Sequence, residues 1–467
     1  MLSLELIDAG LLLAQARGEH CRVVGEGPGM AILEESATQV GLEAARRIRL
    51  KPLLAHSNFW RGLSTDPLVR PSRLAGTTAD IAFVQLNALL EPCKSQGESV
   101  LLAIPAGYGR EQLGLLLGIV NETGVPVAGL VDAALAACSH EPVPSRVLHL
   151  DIELHQALLS VMDYVGGEHP GLRRSRYEIA PQHGALALQQ AWMKMIAENF
   201  IRKTRFDPLH DAAMEQQLAD QLPEWLGQLR RQQTVTVQLQ HPDRELEIEL
   251  EQEQFMEAAQ QHYGALLKLV QDARVAGMPI ELRISHRVAL LPGIVERFAT
   301  LRDCEVRILR NGAAALGALL HTDAIKRSTE ALALVYQLPV PRTAAAEAAI
   351  AEPEATPAQL RPTHVLYQGR AWRISERPLS LGWAVQAGRR ALILPSAAPG
   401  LSRSHCTLVR RHGSVVVEDH STYGSYVNDE KVVGSTALAV GDRLRLGSPG
   451  VTVELIQLVN DDGAPQD

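Results

Sequence analysis

Two short strings near the C-terminus, SRSHC (402–406) and DHSTYGSYVN (419–428), decide how this end of the chain folds. The residues between them, TLVRRHGSVVVE, alternate in hydrophobicity. That pattern predicts β-strand, because successive strand side chains point to opposite faces. Gly424 stands where a turn between strands needs a positive φ or a close backbone approach. The two strings therefore predict polar loops joined by β-strands.

Together these strings resemble the forkhead-associated (FHA) domain, a β-sandwich that recognises phosphothreonine in partner proteins. In that family a Ser-x-x-His loop and a Ser-x-x-Gly-[Ser/Thr]-x-Val-Asn loop converge at one end of the sandwich. There a phosphate meets hydroxyls, backbone N–H groups and an arginine, which suits its charge of about −1.5 to −2. The resemblance also implies that the histidine holds the loops together. The matching residues are Ser402, His405, Ser421, Gly424, Ser425, Val427 and Asn428.

Two positions depart from the family pattern. Phosphothreonine-binding members usually carry Gly-Arg in the first recognition loop, whereas here Gly382 is followed by Trp383. The family's Asn before the second-loop glycine, which hydrogen-bonds the peptide backbone, is replaced by Tyr423. The principal phosphate-binding arginine is therefore missing.

Two alternatives follow for the partner-binding site. In one, a phosphate is held by Ser402 and Ser425 together with a substitute arginine, either Arg403 or one of Arg389 and Arg390. In the other, the loops contact an unmodified protein through aromatic anchors, and the two departures tip the prediction toward this second mode. The predicted partner-binding residues are Ser402, Arg403, Ser425, Trp383, Tyr423 and Asn428.

Composition predicts a multidomain protein of the cytoplasm. The chain has 467 residues, of which 46% are hydrophobic and 21% charged, with a formal net charge of −8. An acidic balance does not favour nucleic acid as a partner. No apolar run approaches the about 20 residues that span a bilayer, and the N-terminus lacks the basic leader of a signal peptide. The five cysteines are scattered without CxxC spacing, which predicts buried thiols in a reducing compartment and no metal site.

A linker is predicted at 339–362, where PVPRTAAAEAAIAEPEATPAQLRP consists mainly of Ala, Pro and Glu with little to bury. The expected organisation is an α/β domain at 1–337, a linker at 338–362, an all-β FHA sandwich at 363–460 and a tail at 461–467.

The N-terminal region resembles the DnaK-type heat-shock chaperone ATPases of the actin-like superfamily in the order of its segments. Residues 4–16 are similar to the first phosphate-binding hairpin, and 100–138 to a strand–helix–strand–helix unit of that family. Residues 147–164 stand where the second phosphate hairpin belongs, and 280–298 at the adenosine motif. The resemblance implies an actin-like α/β fold.

The phosphate chemistry of that family is incomplete here. Its members use Gly- and Thr-rich hairpins to cradle phosphates and two aspartates to organise Mg²⁺. Asp8, Gly10 and Asp151 remain, but Leu11 and Leu12 occupy the hydroxyl positions. The expected Gly-Gly-Gly-Thr of the second hairpin is Ile-Glu-Leu-His at 152–155.

These replacements predict a pseudo-ATPase scaffold that has a vestigial nucleotide and Mg²⁺ site and needs no cofactor. Its partner would be a protein recruited by the FHA module. The alternative is an active chaperone-like or filament-forming ATPase that binds ATP and Mg²⁺ and is regulated through the FHA domain.

Overall fold

The computed structural model describes residues 1–17, 20–241, 244–274, 279–327, 333–343, 362–368, 370–384, 390–395, 400–411, 414–428, 430–432, 434–447 and 450–457. The chain divides into two compact units, Met1–Ala348 and Ala349–Asp467, called here the first and second unit. Most of the predicted linker, 344–361, lies outside the described residues, and so does Arg389.

The first unit is built on two six-stranded sheets. Its strands are β1 (Leu2–Glu5), β2 (Leu11–Arg17), β3 (His20–Gly27), β4 (Ala31–Leu33), β5 (Thr38–Val40), β6 (Ala55–His56), β7 (Val100–Ile104), β8 (Val127–Asp132), β9 (Arg146–Ile152), β10 (Gln156–Val165), β11 (Gly171–Pro181), β12 (Thr234–His241), β13 (Arg244–Glu251), β14 (Ile280–Ile284), β15 (Cys304–Ile308), β16 (Leu334–Val335) and β17 (Gln337–Leu338).

Helices follow or separate these strands. They are α1 (Leu42–Ala45), α2 (Thr78–Leu90), α3 (Arg110–Glu122), α4 (Ala133–Ala137), α5 (Ala185–Thr204), α6 (Ala212–Leu229), α7 (Gln252–Ala258), α8 (Gln260–Asp272), α9 (His286–Ala289), α10 (Ile294–Ala299), α11 (Ala313–Leu320) and α12 (Thr322–Arg327). Short 3₁₀ turns occur at Pro52–Leu54, Glu91–Gln96 and Pro208–His210.

Five strands of each large sheet repeat one topology, and the sixth strand is added at opposite edges. The first has the order β16-β8-β7-β1-β2-β3 and the second β15-β14-β9-β10-β11-β17. In each, three consecutive strands pair antiparallel (β1–β2–β3 and β9–β10–β11), and two later strands then add in parallel beside the first of them. Asp8 and Asp151 both lie where the first strand of a sheet turns into the second. Within 4–16, 100–138 and 147–164, the strands and helices occur in the order that the sequence predicted.

Helix α4 directly follows β8 and α11 follows β15, and the two helices pack together in a core shared by both sheets. Leu101 of the first sheet, Leu172 of the second, Leu135 of α4 and Ala318 of α11 belong to one buried cluster. Strand β7 is buried along its whole length. Its continuous apolar sequence VLLAI fits a parallel strand covered on both faces. The inner helices therefore set how the two sheets meet.

The second unit is a β-sandwich with one six-stranded and one five-stranded sheet, of orders β19-β18-β28-β27-β24-β25 and β21-β20-β22-β23-β26. Its core joins Leu444 and Val453 of the first of these sheets to Leu381, Leu408 and Val417 of the other. The strands are β18 (His364–Tyr367), β19 (Arg370–Arg373), β20 (Leu379–Gly382), β21 (Ala391–Ile393), β22 (Cys406–Arg411), β23 (Ser414–Asp419), β24 (Ser425–Val427), β25 (Glu430–Lys431), β26 (Ser435–Leu438), β27 (Arg443–Leu446) and β28 (Val451–Ile456).

Close packing of α4 against α11 predicts that Gly317→Ala destabilises the protein. A Cβ on Gly317 would lie 1.8 Å from the backbone oxygen of Ala136, so the helices must separate. We expect the free energy of unfolding to fall by about 1–3 kcal/mol, although Ala is the better helix former. Gly118→Ala is the matched control, because a Cβ at that exposed position of α3 meets nothing within 4 Å. Calorimetric unfolding should show the control unchanged or slightly stabilised; equal behaviour of both variants would contradict the packing argument.

Candidate functional site

The first loop of the sandwich packs directly on the end of strand β20. Trp383 and Ala384 donate backbone N–H groups to the oxygens of Ser402 and Arg403, at 3.4 and 3.1 Å. A Cβ on Gly382 would lie 2.0 Å from the backbone oxygen of Arg403, so only glycine allows this approach. The backbone therefore requires Gly382, the glycine of the family's Gly-Arg pair, whichever residue follows it.

His405 joins the two recognition loops from inside the domain. Its Nδ1 accepts the Ser402 N–H at 3.1 Å, and its Nε2 lies 3.1 Å from the Gly424 oxygen. An accepting Nδ1 requires the neutral tautomer with the proton on Nε2, which then donates to Gly424. The residue is fully buried, and burial lowers the pKa of His405. The ring therefore has the structural role that the resemblance implied.

The second loop is fixed by its own hydroxyls and by Asp419. Asp419 Oδ1 accepts from the Ser421 N–H at 3.1 Å and from the Ser425 hydroxyl at 2.9 Å. Burial opposes ionisation of Asp419, but the hydrogen bonds from these two serines outweigh it and lower its pKa. Gly424 has a φ of 83°, as the turn requires, and its N–H donates to the Ser421 hydroxyl at 2.7 Å.

Two predicted partner-binding residues, Ser425 and Asn428, lie away from the exposed tips of the loops. Ser425 is completely buried, and its hydroxyl is committed to Asp419. Asn428 lies beyond the far end of β24, where its side chain donates to Asp442 Oδ1 at 2.7 Å and accepts from the Arg443 N–H at 3.0 Å. This geometry speaks against a direct phosphate contact for Ser425 and assigns Asn428 to a turn at the other end of the strand.

The remaining predicted residues lie on these loops, with Arg403 and Tyr423 exposed and with Ser402 and Trp383 half-buried. The Thr422 N–H donates to the Ser402 hydroxyl oxygen at 3.3 Å, which joins the loop tips. The Arg403 guanidinium carbon lies 5.5 Å from the centroid of the Trp383 ring, and Arg403 is exposed. Tyr423 is 59% exposed. We call Ser402, Arg403, Thr422, Trp383 and Tyr423 the loop surface.

Of the two predicted substitute arginines that the structure describes, Arg403 is the one available to a ligand. Among the described residues, no carboxylate forms an ion pair with it. Arg390 instead donates to the Ser375 hydroxyl at 2.7 Å and to the Arg373 oxygen at 2.8 Å, so its guanidinium is already occupied.

Residues 385–447 match the family model of the FHA domain. The second unit thus carries an FHA domain, a protein-binding module of the phosphopeptide-recognition type. A search of curated proteins found no match to the chain. The first unit lies outside the matched range, so its resemblance to chaperone ATPases remains a prediction.

In the first unit, the two predicted aspartates, Asp8 and Asp151, lie at the junction of the two sheets. Both are nearly buried, with exposed fractions of 5% for Asp8 and 3% for Asp151. Asp8 Oδ1 accepts the Leu154 N–H at 2.7 Å, so the first hairpin holds the backbone of the second. Leu11 and Leu12 are buried in strand β2.

An arginine that sequence reasoning had not singled out occupies the other side of this junction. Arg287, in α9, donates to Asp151 through Nε at 3.1 Å and Nη2 at 2.8 Å. Its Nη2 also lies 2.7 Å from Glu5 Oε1, and its Nη1 is 3.5 Å from the Gly10 oxygen. Glu5 belongs to the first sheet and Asp151 to the second, so one guanidinium joins both. We call Glu5, Arg287 and Asp151 the buried triad.

The buried carboxyl groups at this junction differ in the direction of their pKa shifts. Burial alone would raise the pKa of Asp151, but Arg287 outweighs burial and holds that pKa well below its usual range. Within the described part of the chain, neither Asp8 nor Glu153 forms an ion pair with an arginine. Burial raises the pKa of both, and the Asp8 carboxylate raises that of Glu153 further. Arg287 lowers the pKa of Asp8 as well, but burial outweighs it at Asp8 and does not at Asp151.

One sequence signal could have pointed to the triad. Glu5 is a charged residue inside the buried apolar strand LSLE, and a buried charge needs a partner. Within the described residues, no helix is long and apolar enough to cross a membrane. Nor does that part of the chain group three His, Cys, Asp or Glu side chains as a metal ion would require.

The triad predicts a large, pH-dependent effect of Arg287→Met. Removing the guanidinium leaves buried carboxylates unpaired, which should cost about 3–5 kcal/mol of unfolding free energy near neutral pH. Without Arg287, burial would raise the folded-state pKa of Asp151 above its unfolded value. The variant's deficit should therefore shrink as the pH falls from about 7.5 to about 4.5.

Chemical denaturation at several pH values measures this deficit. Arg176→Met is the control: Arg176 is half exposed and pairs with Glu178 at 2.9 Å, so its loss should cost less than about 1 kcal/mol. A deficit for Arg287→Met that does not change with pH would mean that packing, and not charge, accounts for the loss.

Proposed function

We propose that the protein is a cytoplasmic adaptor whose FHA domain recruits a threonine-phosphorylated partner and whose first unit is an actin-like pseudo-ATPase scaffold. The observation that carries the recognition part is the exposed Arg403 guanidinium, which lies over the Trp383 ring and belongs to the residue directly after Ser402. Five free cysteines support a reducing compartment.

The loop surface offers donors to an anion. Ser402 Oγ already accepts the Thr422 N–H, so its own proton remains to be donated. Arg403 adds a planar set of N–H donors that can bind two phosphate oxygens at once. Hydroxyl and guanidinium together are the groups that the family pattern requires. Here the arginine comes from the loop of Ser402 and not from the position after Gly382.

Trp383 takes a supporting role in this proposal. A guanidinium over an indole ring gains about 0.5–1 kcal/mol at an exposed site, which favours one arginine orientation. Trp383, which replaces the family's arginine, thus orients the substitute arginine, Arg403. Tyr423, exposed on the neighbouring loop, is free to contact the partner's chain beside the phosphate.

We expect Arg403→Gln and Ser402→Ala each to weaken phosphopeptide binding about tenfold, since a hydrogen bond to a charged group contributes about 1.5–3 kcal/mol. Trp383→Leu should weaken it a few-fold through the lost orientation of Arg403. The probe is an immobilised degenerate library of phosphothreonine peptides, compared with its unphosphorylated twin. Arg390→Gln is the matched control and should bind as the wild type does, because Arg390 is occupied by Ser375 and Arg373.

The opposite ranking would reject phosphate recognition. Equal binding of both libraries, lost in Trp383→Leu and retained in Arg403→Gln, would show that the loop surface docks an unmodified protein through its aromatic residues.

The pseudo-ATPase part is supported by topology and by the triad together. Two sheets that share the order of five strands, each with an aspartate at its first hairpin, agree with the fold that the resemblance implies. In the family the two aspartates organise Mg²⁺. Here Arg287 places a fixed cation against Asp151, with two hydrogen bonds to it. A metal-bound nucleotide would have to displace this buried pair at a cost of several kcal/mol.

We therefore expect Mg²⁺-ATP neither to stabilise the protein nor to be hydrolysed. A ligand present at 100 times its Kd raises the unfolding free energy by about 2.7 kcal/mol, an effect that thermal unfolding detects easily. Phosphate release should equal that of an Asp8→Ala, Asp151→Ala double variant. Saturable stabilisation or turnover that disappears in the double variant would establish the active ATPase instead.

A further inference from the structure

Strand β11 of the second sheet has a partly open outer edge. It pairs with β10 along its length, whereas β17 pairs only with Leu172 and Arg173 on the other side. The Arg174 N–H then donates to the Tyr336 oxygen at 3.0 Å. Beyond that point, no backbone group in the described part of the chain bonds to the outer side of residues 176–180. We call this segment, RYEIA, the open edge; its free N–H and C=O groups are those with which another strand can pair.

A β-bulge and a proline limit the open edge at its two ends. Val161 and Met162 of β10 lie opposite Arg176 and Arg174, so that Ser175 is the extra residue of a bulge. At the other end, Pro181 has no N–H to donate. Both features are typical of edges that are protected from unlimited strand addition. They leave one short segment in regular register, which suits pairing with one partner strand.

Two large apolar side chains of the open edge are exposed. Tyr177 and Ile179 lie on one face of the strand, since strand side chains alternate, and they are 42% and 41% exposed. On the other face, the half-exposed Arg176 pairs with Glu178 at 2.9 Å. An unpaired edge that also exposes large apolar side chains is a site where another strand adds to the sheet. The open edge therefore offers backbone groups, apolar side chains and one charge of each sign.

We propose that the open edge pairs antiparallel with the open edge of a second copy of the chain, about a two-fold axis at Tyr177. Residues directly opposite in an antiparallel pair share one face of the sheet, so the axis must pass through a residue and not between two. An axis at Tyr177 places Arg176 opposite Glu178 of the second copy, and the symmetry repeats this pair. An axis at Glu178 would place two like charges directly opposite, which is destabilising. The sequence Arg-Tyr-Glu is thus complementary to itself in one register.

This pairing joins two six-stranded sheets into one continuous sheet and closes as a dimer, because each open edge is covered by the other. The paired segment is short, so the interface falls below the about 1,200 Å² of stable complexes and the dimer is weak. We expect a dissociation constant of roughly 100 µM. The pairing uses neither the loop surface nor the buried triad, so it is independent of the proposed adaptor function.

Sedimentation equilibrium of the full chain, treated with phosphatase to exclude phosphopeptide binding by the FHA domain, tests the dimer. Arg176→Glu and Glu178→Arg should each weaken association about tenfold or more, because like charges then lie opposite, and the double variant should restore it. Lys194→Glu makes the same charge reversal at a 72% exposed side chain of α5 and should associate as the wild type does. Wild-type protein that stays monomeric at about 500 µM, five times the expected dissociation constant, single variants that dimerise normally, or a double variant that does not recover would each overturn the proposal.

A disulfide tests the register. Residues directly opposite in an antiparallel pair have Cα atoms about 4.5–5.5 Å apart, which a disulfide can bridge. Tyr177→Cys, made together with Cys21→Ser to remove an exposed native thiol, should therefore give a covalent dimer under mild oxidation. Ile201→Cys in the same background is the control, because Ile201 is 40% exposed on α5, and it should give little dimer. Equal yields from both variants, or no dimer from Tyr177→Cys, would overturn the pairing about Tyr177.

Discussion

The first unit depends on one buried guanidinium. Arg287 binds Glu5 of the first sheet and Asp151 of the second, and each carboxylate has further bonds of its own. Glu5 Oε2 also accepts the Ala314 N–H at the start of α11, at 3.1 Å. Charges inside a protein lose their hydration, so each must find its partner or destabilise the fold. The triad therefore constrains both sheets and the inner helix α11 at a single point.

The FHA domain separates structural from recognition groups in a comparable way. Polar groups inside it are satisfied by one another: His405 bonds both loops, and Asp419 accepts from Ser421 and Ser425. These bonds hold the backbone of the loops, so that Ser402 and Arg403 remain at the surface. Burial decides the role, because a hydroxyl such as that of Ser425 cannot bind both an internal carboxylate and an external phosphate.

Much of this architecture could be predicted from the sequence where backbone geometry limits the residues allowed. Gly424 needs a positive φ, and the histidine of Ser-x-x-His must reach a carbonyl of the other loop, so their spacing identifies the sandwich. Segment order likewise indicated the two hairpins of the first unit. The roles of Ser425 and Asn428 could not be predicted, because side-chain direction depends on strand register and the motif does not state it.

Polar pairs between residues far apart in the chain are a second feature that the sequence does not reveal. Glu5 and Arg287 are 282 residues apart, and Trp383 and Arg403 belong to different loops. A charged residue in a buried strand indicates that a partner exists but does not identify that partner.

A cation supplied by the chain has a consequence that a bound metal ion does not have. Arg287 is covalently attached, so it loses no translational freedom on binding and its occupancy does not depend on ligand concentration. In a two-lobed protein driven by nucleotide, the charged ligand binds and dissociates. The arrangement of the lobes can change with its occupancy. Here the charge that joins Glu5 to Asp151 is permanent. The two sheets are therefore joined at this point by the chain's own cation, as the proposed scaffold role would require.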